Sequence, residues 1–540
     1  MKNLLLLLLS LWLWAGSLCA DEPFRRHRYD QFKALPPAEG SIVFMGNSIT
    51  DMHPWGEAFR KADGTPLPIV NRGNSGTYTT EQSDNLESYF VNKPSKLFLM
   101  IGTNDIATNG LDYTAEQVVA RIKGIVRHIQ LRSPRTRIYL YSILNNDTPT
   151  RSPERWLRAN ELIKEFVEKV ADERLRYIDL YKPLFGIAEG GVWSYDKLHP
   201  AAASYQLWCK AICPYLQEGE DYGVVPVYPD DAARRQQNGG LDRSNGMRAT
   251  FFSLLPVEAD DVLFFGDAEV KCGEWNELLG NSHVKNRGTG WGFGGNIATT
   301  SRIVDATFAP TGVQKKKPKA ILLYTGTDDV GGTAPMDSVK AHYEALVDKL
   351  ARLCPEAKIY LLGLHPLKDA AKNTGRVAVF NNRLRQLAEQ KTYPRLRYID
   401  TYTPLLSSDH TASERYIRRT DYLYGLGYIK VAGLIKNALL ADFPADSYTV
   451  PDEAEAEQTI LQAELRCTLG QAIDKGLRVE TSVEPAQFDA RVMAVFRAKA
   501  EEMSVRMDSG NLTPGEVDEA VAALGALLHE ALRPASGATF

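Results

Sequence analysis

The chain has 540 residues, 44% of them hydrophobic and 24% charged, with a formal net charge of −4. This is ordinary globular composition for three or four domain-sized units, and it excludes a largely disordered chain. The slightly acidic balance gives no reason to expect nucleic acid, and Lys315-Lys316-Lys317 reads as a solvated loop.

Met1–Ala20 reads as an export leader. Lys2 is the positive flank, Leu4–Trp14 the apolar core, and Gly16, Ser17 and Ala20 the small residues near a cut. The apolar core is too short for a permanent span, and no later stretch is long and apolar enough to be one. The expected location is periplasmic or extracellular, without stable membrane insertion. Five cysteines would remain: Cys209, Cys213, Cys272, Cys354 and Cys467. An odd, scattered set is not a disulfide framework. Cys209 and Cys213 lie four apart on a helix without an accompanying His or carboxylate cluster, so neither metal nor cofactor is expected.

Residues 21–220 read as the first domain. Ile42-Val43-Phe44 is a buried strand, broken by Gly46, with Ser48 following and a helix opening between Ile49 and Phe59. Pro68–Val70 is a second strand, running into the turn-rich loop Asn71–Gly76. Leu97–Ile101 is a third, stopped by Gly102-Thr103-Asn104-Asp105. A helix over Val118–Leu131, a strand over Arg137–Ile143, a helix over Arg155–Val170 and a strand over Leu175–Leu180 follow. Tyr195–Pro200 then precedes a helix through Tyr205–Leu216. Short apolar strands alternating with amphipathic helices indicate a parallel sheet covered on both faces. Ligands bind such sheets beyond the carboxyl ends of the strands. Ser48, Gly73 and Asn104 follow strands one, two and three, and Asp196 and His199 follow the last.

A serine hydroxyl is a weak nucleophile until a base takes its proton. His199 can do so near neutral pH, and Asp196, three residues earlier, can hold the other imidazole nitrogen. The backbone N–H groups of Ser48 and Gly73 and the Asn104 amide are candidate donors to an oxyanion.

These residues resemble the SGNH hydrolases, the GDSL-type esterase superfamily. Its four blocks read here as Gly46-Asn47-Ser48-Ile49, Gly73, Gly102-Thr103-Asn104-Asp105 and Asp196-Lys197-Leu198-His199. The resemblance implies a flavodoxin-like three-layer α/β/α fold, a Ser48–Asp196–His199 triad and an oxyanion hole of Ser48, Gly73 and Asn104. The nearest branches are the platelet-activating-factor acetylhydrolase-like and carbohydrate acetylesterase ones. Asn47 departs from the family's common Asp.

After a linker at 221–248, the chain repeats itself over 249–447. Val262–Gly266 matches Ile42–Gly46, Asn286-Arg287-Gly288 matches Asn71-Arg72-Gly73, and Gly326-Thr327-Asp328-Asp329 matches Gly102–Asp105. Ala268 replaces Ser48, Asp328 replaces Asn104 and Tyr424 replaces His199, while Gly288 and Asp421 persist. The second domain is expected to be chemically silent, with a five-stranded parallel sheet like the first. It is expected to stabilise or shelter, or to bind glycan through Trp275, Trp291, Phe293 and His365. Residues 448–540 read as a three-helix bundle, with Thr513 and Glu516 spaced as a capping box.

The whole predicts an exported serine esterase that removes small acyl groups, above all acetyl, from carbohydrate. O-acetylated sialic acid is the favoured substrate. The alternatives are a lysophospholipase-like phospholipid or thioester deacylase, and a non-catalytic glycan-binding scaffold. The expected partner is an acylated glycan or small ester; oligomeric state is not legible.

Overall fold

The structure, a computed structural model, describes residues 25–241, 243–290, 295–390, 393–417, 422–481 and 489–532, with the side chains of 243, 244, 480 and 481 left aside. The leader, Trp291, Phe293 and Asp421 lie outside these residues. The chain forms two compact units. One comprises Phe32–Leu198, Leu207–Pro226 and Glu457–Phe540; the other comprises Met1–Gln31, His199–Gln206 and Val227–Ala456.

The unit that begins at Phe32 is built on a five-stranded parallel sheet. Its strands are β1 (Ile42–Gly46), β3 (Ile69–Gly73), β4 (Lys96–Met100), β5 (Arg137–Tyr141) and β6 (Leu175–Ile178), in the order β3-β1-β4-β5-β6. Among these five strands the order is 2-1-3-4-5, the flavodoxin-like arrangement expected. β1 and β4 are buried along their whole length, which is why they read as unbroken apolar runs. Phe44 stacks on Phe98 with centroids 4.9 Å apart, and Phe98 on Tyr139 at 4.4 Å, so aromatic faces tie adjacent strands.

The helix Ala115–Arg132 starts at a capping box of Thr114 and Gln117, and Pro153–Val170 starts at Ser152 with a proline in its first turn. The single helix expected between Ile49 and Phe59 is split into Ser48–Asp51 and Trp55–Ala58. Pro54, which cannot donate a backbone hydrogen bond, sits at the break. The expected linker is also more ordered than its composition suggests. Within it, β7 (Val224–Pro226) pairs antiparallel with β2 (Phe59–Lys61), and helices cover Ala232–Arg235 and Arg243–Leu254.

The tail forms the helices Glu453–Thr481, Ala490–Asp508 and Pro514–Ala531, the last opening on the Thr513–Glu516 capping box. From Glu457 on it belongs to the same unit as β1. Leu469, Ile473, Phe496, Met503 and Leu524 form its core, and Leu131 of the helix Ala115–Arg132 packs against that core. A buried charge cluster pins the junction. Glu87 accepts from Arg132 Nε at 2.9 Å through both oxygens and lies 2.6 Å from His128 Nε2. Arg132 also donates to the Ser504 carbonyl at 2.8 Å and hydroxyl at 2.7 Å, and pairs with Asp508 at 3.0 Å. Burial alone would raise the Glu87 carboxyl. Arg132 and His128 overcome it and hold its pKa at about 2.

The other unit carries β8 (Val262–Gly266), β9 (Val284–Gly288), β10 (Ala320–Tyr324), β11 (Lys358–Leu362) and β12 (Leu396–Ile399), in the order β12-β11-β10-β8-β9. Read from its other edge, this is the topology of the first sheet. The register repeats too: Gly46 pairs with Gly73, and Gly266 with Gly288. The Trp55 indole donates to the Thr50 carbonyl at 2.9 Å, and Trp275 donates to Val270 at the same distance. The duplication seen in the sequence is a duplication of the fold.

Candidate active site

Strand order reverses between β1 and β4, so the crevice beyond their carboxyl ends is where a doubly wound sheet receives a ligand. Ser48 stands there, two residues past Gly46, as the first residue of the helix Ser48–Asp51. Asn47 caps that helix, its Oδ1 accepting from Ile49 N–H at 3.1 Å. Asn47 Nδ2 is buried without a hydrogen-bond partner among the described residues. Ser48 is 6% exposed.

Gly73 ends β3 directly across from Gly46. A Cβ on Gly73 would stand 2.2 Å from Asp51 N and 2.6 Å from Asp51 Cα. The helix that carries Ser48 therefore rests on the bare backbone of Gly73. The Gly73 N–H donates to Asn71 Oδ1 at 2.9 Å, across two residues of its own chain. As an oxyanion donor it is thus already engaged in this state, and joining a hole requires sharing or exchanging that acceptor. The copy makes the same local bond, from Gly288 N–H to Asn286 Oδ1 at 2.8 Å, and its Cβ would stand 2.2 Å from Lys271 N. Glycine is therefore required at both positions by packing, with or without chemistry. Gly73→Ala and Gly288→Ala are each expected to destabilise the protein by about 2–4 kcal/mol in urea denaturation. Only Gly73→Ala should also change the kinetics of the folded fraction.

Asn104 lies in the loop after β4. Its Nδ2 donates to the Thr77 carbonyl at 3.1 Å, and its Oδ1 accepts from Arg151 Nη2 at 3.2 Å. The next residue, Asp105, is buried. It accepts from Thr79 N–H at 3.0 Å and from the Thr79 hydroxyl at 2.5 Å, which fixes the start of the helix Thr79–Asp84. Burial raises its carboxyl to about 6 against those bonds.

Asp196 lies in the loop before the helix Ala202–Gln217. Its Oδ1 accepts from Leu198 N–H at 3.1 Å and from the Ser194 hydroxyl at 3.3 Å. Between Asp196 and His199, Lys197 takes a left-handed φ of 61°. Its ammonium pairs with Asp147 at 2.7 Å, and its carbonyl accepts from Asp147 N–H at 3.1 Å, tying this loop to the one after β5. Ser48, Gly73, Asn104 and Asp196 belong to one unit. His199, three residues on and buried, begins the short segment His199–Gln206 that is grouped with the other.

The model of the GDSL-like lipase/acylhydrolase family matches residues 44–207 and again 269–421. The chain belongs to the GDSL-like lipase/acylhydrolase family. It is similar to platelet-activating factor acetylhydrolase IB subunit alpha1 of Bos taurus, 29% identical over 186 residues, which are 32% of this chain and 74% of that protein. The Rattus norvegicus protein of the same name is 26% identical over 229 residues, 41% of this chain and 91% of its own length. Solved structures with a similar fold include a carbohydrate esterase family 3 protein from Talaromyces cellulolyticus. It is 17% identical, covers 33% of this chain and 97% of its own, and has a TM-score of 0.28. A GDSL-like lipase from Bacteroides thetaiotaomicron is 16% identical, covers 37% and 98%, and has a TM-score of 0.30.

The second GDSL copy departs from this set at the serine and the asparagine. Ala268 and Asp328 stand where the first has Ser48 and Asn104. Asp267 stands at the place of Asn47. Its carboxylate accepts from the Thr325 hydroxyl at 2.6 Å, Gly326 N–H at 2.9 Å and Thr327 N–H at 2.8 Å. These bonds link the first and third blocks, a link for which Asn47 Nδ2 has the wrong polarity.

Trp275 is 1% exposed and packs on Phe264 and Tyr428; His365 is 4% exposed, and burial lowers its pKa to about 3. Both are core residues, which corrects the expectation that they line an open glycan cleft. Burial also raises the Glu269 carboxyl to about 8. A folded-state pKa above the unfolded value means the native state holds the extra proton. The contribution of Glu269 to stability is then full below about 4.5 and is lost as pH rises toward 8, by up to about 1.4 kcal/mol per pH unit. Glu269→Gln is expected to flatten that fall in a melting series from pH 5 to 8.

Sequence reasoning gave no role to two residues of the site. Arg151 sits in the polar run Thr148-Pro149-Thr150-Arg151-Ser152-Pro153, which reads only as a loop. Asn71, one residue of a turn-rich stretch, turns out to hold the Gly73 N–H.

Proposed function

We propose that this GDSL-family protein is a serine esterase that removes acetyl groups, with carbohydrate acetyl esters as its substrate class and O-acetylated sialic acid the favoured member. The observation that carries this reading is the contrast between copies. The family's Ser, Asn, Asp and His are all present in the sequence of the first, while the second keeps the fold and lacks the serine, the asparagine and the histidine. The acetyl preference draws on the relatives' name, acetylhydrolase. The carbohydrate and export assignments draw on the leader-like first twenty residues.

In this reading Ser48 Oγ attacks the ester carbonyl carbon and its proton passes to His199. Asp196 stabilises the imidazolium. The carbonyl oxygen becomes an oxyanion, met by the Ser48 N–H and the Asn104 amide. Collapse expels the sugar hydroxyl, which takes the proton from His199 and leaves acetyl-Ser48. Water, deprotonated by His199, then releases acetate and restores the serine.

A p-nitrophenyl ester series, assayed beside O-acetylated sialic acid, acetylated xylan and a short-chain phospholipid, tests the proposal. Rates falling at least tenfold beyond butyrate, with acetate release from a glycan, support it. Preference for the phospholipid would favour the deacylase suggested by the relatives' name, and no hydrolysis of any ester would reject the catalytic reading.

A further inference from the structure

We propose that Arg151 is a positioning residue for the oxyanion donor Asn104, an assignment that rests on the esterase reading above. A side-chain amide has an acceptor end and a donor end, and catalysis needs the donor end. In this site the neighbours leave one choice. Arginine has only donors, so the end facing Arg151 Nη2 at 3.2 Å is Oδ1. The Thr77 carbonyl is only an acceptor, so the end facing it at 3.1 Å is Nδ2. With both fixed, a single Asn104 N–H is left over for an incoming oxygen. The guanidinium also withdraws electron density through Oδ1, which makes that N–H a better donor.

Arg151 is itself held in place. Its Nε donates to the Thr103 carbonyl at 2.9 Å, and its Nη1 reaches the Thr150 hydroxyl at 3.2 Å and the Thr148 hydroxyl at 3.4 Å. Thr108 N–H donates to the Thr150 carbonyl at 2.9 Å, which ties the two loops together. Burial depresses the guanidinium's pKa, and the nearby Tyr78 and Asp196 oppose this. The cation thus faces the amide that would meet the oxyanion.

The silent copy separates a structural from a functional role. Asn160 and Asn381 make the same pair of bonds, to Ile143 and to Leu364. At this spacing Arg155 corresponds to Arg376, and both brace the same loop: Arg155 through the Ile106 carbonyl at 3.3 Å, Arg376 through Val330 at 2.7 Å. Four residues before these arginines stand Arg151, in a loop, and Lys372, at the end of the short helix Ala370–Lys372, and no bond from Lys372 to Asp328 is seen among the described residues. The arginine that braces backbone persists where chemistry is lost. The arginine that faces the amide disappears together with the amide, which is Asp328 in the copy.

A double-mutant cycle on the full chain tests this. Arg151→Met is expected to lower kcat about 10–100-fold with KM changed less than threefold, a part of the 10²–10³ that losing a whole donor costs. Arg151→Lys should recover part of the loss. In the Asn104→Ala background Arg151→Met should cost less than threefold further, since the group it orients is gone. Losses that multiply independently would overturn the proposal. A crystal structure of Arg151→Met gives a readout without turnover: a rotated or flipped Asn104 amide supports it, and an unmoved amide overturns it. Failure of the wild type to hydrolyse any ester would instead remove the esterase reading, and the crystal structure would still decide whether Arg151 holds the amide.

Discussion

Ser48→Ala is expected to lower kcat for p-nitrophenyl acetate by about 10³–10⁶ while leaving the urea midpoint almost unchanged. The size follows from losing the group that forms the acyl-enzyme in the proposed reading; what remains is binding and oxyanion stabilisation of direct water attack. Unchanged stability follows from the second copy, where Ala268 occupies the same place, two residues after a buried strand that ends in glycine and at the first position of a short helix. The fold already accepts alanine there. Equal rates for the two proteins would end the assignment of Ser48. A large loss of stability would mean that rate measurements on this variant report unfolding.

The second large effect concerns stability. Arg132→Met is expected to cost about 3–5 kcal/mol in urea denaturation, the usual penalty for leaving one member of a buried ion pair without its partner. Arg132 and Glu87 are each about 1% exposed in their side chains, so solvent screens little of the loss. The substitution strips Glu87 of a two-oxygen partner, leaving it His128, and removes the bonds to Ser504 and Asp508 of the tail helix Ala490–Asp508, of which Asp508 keeps Lys93. The pH dependence has a definite sign. Glu87 is held below its ordinary value of 4.5, so its contribution is complete above about 4.5 and fades as pH falls toward 2. The gap between wild type and Arg132→Met should therefore close in acid. A gap below 1 kcal/mol at pH 7, or one that widens in acid, would refute the role given to this cluster.

The parts of the fold legible in the sequence were those where one local pattern decides the outcome. β1, β4, β8 and β10 are buried on both faces, so each shows as an apolar run. The duplication was legible because the register-setting glycines repeat. The capping box at Thr513 was readable because its two residues sit three apart on one turn. What was not legible depended on distant neighbours. Apolar spacing read Ile49–Phe59 as one helix where Pro54 splits it, and β7 exists because β2 offers it an edge. The tail packs on its unit through Arg132, whose partners lie 45 and 372 residues away.

The site divides in the same way. As candidates, Ser48 and Asn104 stood out because they follow strand ends, and Asp196 and His199 because of their short spacing. Gly73 was visible as a glycine, yet its identity reflects the close approach of Asp51, which recurs in the silent copy. Arg151 was invisible because its meaning lies wholly in the orientation of another side chain.

The central claim, that Ser48 is a nucleophile activated within the first GDSL copy, is tested most directly by covalent capture. The full chain would be treated with a fluorophosphonate and its peptides mapped by mass spectrometry. The account predicts one stoichiometric adduct on Ser48, lost in His199→Ala and absent from the second copy. Retained ester hydrolysis with Ser48 unlabelled, or with the adduct on another residue, would contradict it.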